Sequence, residues 1–562
     1  MNPMLNLDVK FPPEAYRYGK RSSGETHGVV LTKPHIVDLI LDLAGYTENR
    51  DLSLMRLLEP SCGTGAFLVP AVRRLVKSAR RHHRRPSQLS DCIHAYDIDK
   101  AHVEAARLAV ETALNEEGIG NGAAKSLAEN WVRQADFLLT PLDEQSFDAV
   151  VGNPPYIRIE QLSPEIQGEY RRRYESLYDR ADLYVAFIER SLALLKPNGT
   201  LSFVCADRWT LNRYGAPLRR MISEHFSVKT YIDLNQASPF ESEVIAYPSI
   251  FAISPGRSGE VQVARLSSAA PEECAALSRS LHGNGAANGA TVSKYPSWFS
   301  GDEPWVLTPP EHLKALRELE ARFDPIEADG QTKVRIGVAT GCDAAYIVGK
   351  DADIEKDRLV PLVMRSDIEN GSIKNNHRFV INTFDEDGRV INLSDFPRLR
   401  RHFEQHGLDI RHRHVAQKNP VSWFRTIDRV YPELVKAPKL LIPDIAGSNE
   451  VALDAGSYHP HHNLYFVTSE VWDMAVLGGL LSSKVALFFI WSYATKMRGS
   501  YLRFQAQYLR RIRLPKPEDI PSQLAGEIRE AFMARDFKRL DELALTAYGL
   551  KSLPDFDFAD TR

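Results

Sequence analysis

Between residues 26 and about 255, short β-prone apolar runs alternate with helical stretches, and this alternation constrains the fold most. Leu57-Leu58, Ile93 to Tyr96 and Ala149-Val150-Val151 are three such runs, and they close on Glu59, Asp97 and Asn153. A helical run through Leu75 and Val76 follows the first. Strands that alternate with helices predict a doubly wound, mostly parallel sheet. Ligands bind outside the carboxyl ends of strands in such sheets. The residues that close the runs are therefore the candidates for function.

The third run leads into Asn153-Pro154-Pro155-Tyr156. Two prolines fix φ and remove two backbone donors, and the residue before each is pushed toward extended geometry. A stiff, extended loop results. In it the Asn153 amide oxygen and the Pro154 carbonyl can accept from one target, and Tyr156 offers a flat face beside them. A planar heterocycle with an exocyclic amine needs two acceptors and a stacking surface. A plain surface turn is the competing reading, since Asn-Pro and Pro-Pro pairs are common turn signals.

The first run opens Glu59-Pro60-Ser61-Cys62-Gly63-Thr64-Gly65. Gly63 and Gly65 allow a tight turn and close approach of the backbone to a ligand. The third glycine of the dinucleotide fingerprint is missing, and no Gly-Lys-Ser/Thr follows as in a P-loop. Glu59 would repel a phosphate and suit a cation. Asp97-Ile98 closes the second run, where ribose hydroxyls are held in doubly wound folds. Asp136-Phe137 closes a further unit with a carboxylate that could accept from an adenine amine and a ring that could cover one. Acids also commonly cap helices, so the order of these pieces carries the inference.

In that order the chain resembles the amino-methyltransferases that use S-adenosylmethionine, and most of all the TaqI-like group of DNA adenine-N6 methyltransferases. The resemblance covers residues 20 to 255 well and the C-terminal half more loosely. It implies a class I methyltransferase sheet followed by a C-terminal α+β DNA-recognition domain. It implies S-adenosyl-L-methionine as cofactor, held by Thr32, Glu59, Ser61, Gly63, Gly65, Asp97, Ile98, Asp136, Phe137 and Asn153. Asn153, Pro154 and Tyr156 would be catalytic, and Tyr156 and Phe240 would stack a flipped-out adenine. Cys62 and Thr64 in the glycine turn, and Asp97 where Glu is common, depart from the group's pattern without removing a chemical group.

The implied divisions are a leader over 1–25, a catalytic domain over 26–255, a connector over 256–330, a recognition domain over 331–520 and a helical tail over 521–562. Thr32 is a plausible cap for a helix ending at Gly45. Lys333 to Gly341 with Ala345 to Val348 reads as a hairpin. Residues 494–516 hold Lys496, Arg498, Arg503, Arg510, Arg511, Arg513 and Lys516 with no acid, interleaved with Tyr501, Phe504 and Tyr508. Such a run suits a nucleic-acid backbone, with a solvated helix face as the competing reading. His459-Pro460-His461-His462 matches no common zinc spacing, so no metal is expected. Arg80 to Arg85 reads as solvated surface.

The net charge of −3 means that a DNA surface must come from local segregation of charge. Five scattered cysteines and the lack of a signal peptide or long apolar run fit a cytoplasmic protein with no membrane partner. Double-stranded DNA is the expected partner, with a separate cognate restriction endonuclease as a second. A protein-glutamine or RNA amino-methyltransferase can share the same Asn-Pro-Pro-Tyr loop and stays open at this point, as does a non-catalytic binding subunit.

Overall fold

The computed structural model describes residues 31–556, apart from 236, 242–246, 258, 267, 284–289, 375–376, 447–449 and 495–501. The chain forms two compact units, Met1–Pro310 and Glu311–Arg562.

The first unit is built on a nine-stranded sheet. Its strands are β1 (Leu57–Glu59), β2 (Ile93–Asp97), β3 (Val132–Gln134), β4 (Phe147–Gly152), β5 (Leu195–Ala206), β6 (Phe226–Asp233), β7 (Pro248–Pro255), β8 (Val261–Leu266) and β9 (Ala290–Tyr295). They lie in the order β3-β2-β1-β4-β5-β7-β6-β8-β9. The first five are parallel, and β7 runs antiparallel between β5 and β6. Leu57, Leu58, Ala149, Val150 and Val151 are fully buried. Strands covered on both faces read as continuous apolar runs, which is why these were visible in sequence.

The helices α1 (Pro34–Leu43), α2 (Leu68–Arg81), α3 (Lys100–Glu116) and α4 (Asn121–Trp131) connect or cover these strands. Leu68, Val72, Leu75 and Val76 bury one face of α2 in the same core as Ile36, Val37 and Ile40 of α1. Asp99 caps α3 by accepting from the Ala101 and His102 amides. The chain steps outward from β1 to β3, then returns to β4 on the other side of β1. The reversal leaves a crevice between the carboxyl ends of β1 and β4, the place where such sheets bind ligands.

Two expectations change here. Helix α1 starts at Pro34 behind Lys33, with no side-chain cap, so Thr32 is not its cap. A proline in the first turn needs no amide partner, which removes the need for one. Gly45 does end the helix, at φ +67°. The stretch expected as a connector supplies β8 and β9 to the sheet, and its helix Pro271–Leu281 bonds α1 through Ser278 Oγ to Asp42, 2.8 Å. Its Ser/Ala/Gly-rich composition hid the buried Val261, Val263, Leu266 and Leu277.

The second unit is α+β. One four-stranded sheet has the order Lys333–Ile336, Leu464–Thr468, Lys439–Pro443, Ala452–Asp454. Another runs Ile347–Gly349, Arg378–Ile381, Leu359–Val363, His459–Pro460. The expected hairpin is therefore absent, because its two arms pair in different sheets. Gly341 at φ +79° and the short helix Asp343–Tyr346 turn the chain out of register between them. The helices Ser522–Ala534 and Phe537–Ala547 form the expected helical tail, but they are packed into this unit through Ile528, Phe532, Leu540 and Leu543. Among the described residues no single helix is long and apolar enough to cross a membrane.

Candidate functional site

Three segments distant in sequence meet at the carboxyl ends of β1 and β4. Asn153 leaves β4 there, and the Ser61 hydroxyl donates across the crevice to the Asn153 carbonyl, 3.2 Å. The Asn153 side-chain amide donates to the Thr32 hydroxyl, 3.3 Å. That contact turns the amide oxygen away from Thr32. Residues 31–33 are in turn bridged to 239–241, with Lys33 N donating to Pro239 and Glu241 N donating to Leu31, 3.0 and 2.9 Å. Tyr156 is half-buried, with Tyr184 and Phe240 edge-on to it at 6.1 and 6.3 Å. Tyr184 and Tyr214 both donate to the Asp182 carboxylate behind it.

The glycine turn lies on the other side of the crevice. Gly63 and Gly65 adopt φ +50° and +98°, and the space beside Gly63 is open where a side chain would stand. Asp97 Oδ2 accepts from the Gly63 amide, 2.9 Å, and Oδ1 from the Asp99 amide, 2.9 Å. Asp97 thus holds the turn as well as closing β2. Glu59 is 1% exposed, and its Oε2 has no hydrogen-bond partner among the described residues. Burial, and then the nearby Asp97 carboxylate, push its carboxyl well above the usual range. A buried, uncompensated carboxyl is a receptor for a cation or an ammonium group.

Residues 91–240 match the Eco57I restriction-modification methylase family, and residues 394–514 match the TaqI-like C-terminal specificity domain. The chain is 44% identical to the Type II methyltransferase M.BstVI of Geobacillus stearothermophilus, over 93% of its own length and 96% of that protein. It is also 44% identical to M.PaeR7I of Pseudomonas aeruginosa, over 94% and 92%. This chain belongs to the Type II restriction-modification DNA methyltransferases. In fold it is similar to the Type IIL restriction-modification enzyme MmeI solved with DNA, with a TM-score of 0.61 at 13% identity over 93% of this chain and 75% of that one.

The first unit of this methyltransferase is a class I methyltransferase sheet, and its second contains the specificity domain. Thr32, Ser61, Asn153, Tyr156 and Phe240 are brought together, as are Glu59, Gly63, Gly65 and Asp97. Ile98 follows Asp97 half-buried, with its carbonyl accepting from Gln134. Asp136 and Phe137 follow β3 and are packed by residues from elsewhere in the chain. Asp136 already accepts from the Leu138 amide and the Tyr170 hydroxyl, 2.9 and 2.8 Å. Phe137 is 2% exposed, between Phe187 and the Arg190 guanidinium at 4.9 Å. Phe240 is only 3% exposed and belongs to the core.

Sequence reasoning missed Asp207. It follows β5, beside the Asn153 loop, and Asn235 donates to it at 3.4 Å. Burial, with Asp233 nearby, pushes its carboxyl up to about 7. Its only signal in sequence was an acid directly after an apolar strand.

In the basic stretch of the second unit, Lys496 and Arg498 lie outside the described residues, and only the backbone of Arg503 is described, in a short strand paired with Ile445. Arg510 is exposed, yet it is bound by Glu327 at 3.0 Å and by the Val334 carbonyl. Arg511 lies over the Tyr493 ring at 5.3 Å. The stretch is free of acids in sequence, but the fold brings one to it. Arg413 is a staple, donating to Thr340, Trp423 and Arg425 carbonyls. Arg80 and Arg84 pair with Glu117 and Asp51 at the end of α2, as expected of a solvated surface.

Proposed function

We propose that this methyltransferase transfers a methyl group from S-adenosyl-L-methionine to N6 of an adenine flipped out of double-stranded DNA. The observation that carries this is Asn153-Pro154-Pro155-Tyr156 at the end of β4, facing the Glu59 and glycine-turn side of the crevice through the Ser61–Asn153 bond. The cofactor fits the residues present. The unpartnered Glu59 carboxylate suits its ammonium, the open Gly63 turn admits its chain, and Asp97 stands where ribose hydroxyls bind.

When bound, the cofactor supplies an electrophilic methyl. Every other part belongs to the chain. Asn153 and the Pro154 carbonyl accept the two amine hydrogens, shift density back onto nitrogen and hold it in line. Thr32 keeps the Asn153 amide in the required rotamer. Tyr156 stacks on the base. Phe240, buried edge-on behind it, supports that ring rather than meeting the base. The amine proton becomes acidic only as the N–C bond forms, so catalysis is positioning and electrostatics. A base inside a duplex cannot reach such a pocket, which is why it must be flipped. The specificity unit reads the site, a separate endonuclease is its restriction partner, and the cytoplasm is its compartment.

Digested DNA from cells expressing the chain, read by nucleoside mass spectrometry, tests this. N6-methyladenine is expected with wild type and is lost with Asn153→Ala, while cofactor binding stays within a few-fold. N4-methylcytosine instead, or methyladenine retained by the variant, overturns the reading.

A further inference from the structure

The second unit brings Asp343 to a pair of histidines more than a hundred residues away in the chain. Asp343, His461 and His462 each offer one ligand atom, and these atoms lie within 4.8 Å of one another. His461 Nε2 is 3.1 Å from Asp343 Oδ2 and 3.0 Å from His462 Nδ1. The backbone fixes all three. Val338 N donates to Pro460, and His462 N donates back to Val338, 2.9 and 3.0 Å. Asp343 opens a short helix just beyond, its Oδ1 accepting from the Thr340 hydroxyl, 2.5 Å. His459 is not part of the cluster, since its Nε2 accepts from the Tyr431 amide.

Hydrogen counting shows what this arrangement lacks. An imidazole nitrogen carries one hydrogen or one lone pair, not both. If His461 Nε2 donates to Asp343, it cannot also accept from His462. If it accepts from His462, it faces a carboxylate with nothing to give. The most the protons can offer is one His461 N–H shared between both neighbours, whereas a cation among the three atoms meets a lone pair of each. Contacts of 3.0 and 3.1 Å are a few tenths of an ångström shorter than the roughly 3.3–3.4 Å ligand–ligand edges of a tetrahedral ion with bonds of about 2.0–2.1 Å, so a small outward shift of the side chains admits one. Asp428 and Asp444 add negative charge around His462. His461 is buried, while Asp343 and His462 are solvent-accessible, so an ion has an entry path and a solvent position for its fourth ligand.

We propose that Asp343, His461 and His462 bind a divalent ion of the zinc class, clipping the 338–343 turn to the segment at 461–462. Two imidazoles and one carboxylate select such an ion over magnesium or calcium. The tutelary hydrogen bond of a strong site is missing, because His461 Nδ1 has no partner among the described residues. Outer-shell partners matter about 10–100-fold in affinity, so the site should be micromolar and exchangeable.

The test is zinc titration of the full chain, stripped with chelator and dialysed, against a chromophoric competitor. Wild type should take up one equivalent, with a rise in melting temperature. His462→Ala and Asp343→Asn, each shown folded by circular dichroism, should bind at least about tenfold more weakly. Millimolar magnesium should not compete. Absence of stoichiometric binding, zinc binding unchanged in both variants, or displacement by magnesium would each overturn the proposal.

Discussion

At the scale of single residues, the site depends on groups whose ordinary behaviour burial has changed. Glu59 is the sharpest case. Its carboxyl is raised in the free protein by burial and then by Asp97, which moves the balance toward the protonated form. A cofactor ammonium favours the ionised form, so binding must release a proton. Affinity for S-adenosylmethionine should therefore rise as pH is raised through the titration of Glu59, and Glu59→Gln should bind more weakly with a flat profile. Calorimetry in two buffers of different ionisation enthalpy measures the proton directly. Binding without proton release would remove Glu59 from the cofactor's ammonium. The turn that carries Glu59 and Gly63 and the loop that carries Asn153 were legible in sequence because chain neighbours define them. The partners of Asp136 and Phe137 were not, since Tyr170 and Arg190 come from elsewhere in the chain.

At the scale of elements, close helix packing in the second unit explains two glycines that no turn requires. Helix Met474–Leu481 carries Gly478 and Gly479 against helix Ser522–Ala534. A Cβ on Gly479 would lie 2.5 Å from Ile528 Cγ2, and one on Gly478 would lie 2.6 Å from Phe532 Cζ. Gly479→Ala should cost about 1–3 kcal/mol by overpacking, although alanine is the better helix former. Denaturant unfolding checks this, and a neutral or stabilised variant would show that the two helices can separate without loss. The same packing explains why a segment charged enough to read as a tail is part of a core. The failed hairpin has a related cause. Both arms are strand-like, but their partners, Leu464–Thr468 and Arg378–Ile381, are chosen by burial across long separations.

At the scale of the whole molecule, each unit has its own core, and the residues proposed to hold the cofactor all lie in the first. Scanning calorimetry should resolve two transitions, and S-adenosylmethionine should raise only that of the first unit. At a hundredfold excess over Kd the stabilisation is about 2.7 kcal/mol for the unit that binds it. A cofactor-induced rise in the second transition alone would place the cofactor site in the wrong unit. The net charge of −3 makes no general attraction for DNA. Recognition must come from local surface, and Glu327 on Arg510 shows that a basic stretch cannot be counted from sequence alone.

The sequence by itself determined the parallel sheet, the glycine turn, the Asn-Pro-Pro-Tyr loop and the order in which they occur. These depend on apolar runs buried on both faces and on backbone limits of glycine and proline, which act over a few residues. Tertiary structure decided the rest. Thr32 became a partner of Asn153 instead of a helix cap, the connector became two strands, and Asp343 joined a histidine pair that local spacing left one ligand short. In each case the deciding contact joins residues far apart in the chain, where burial and hydrogen-bond satisfaction choose the partner and no local pattern records the choice.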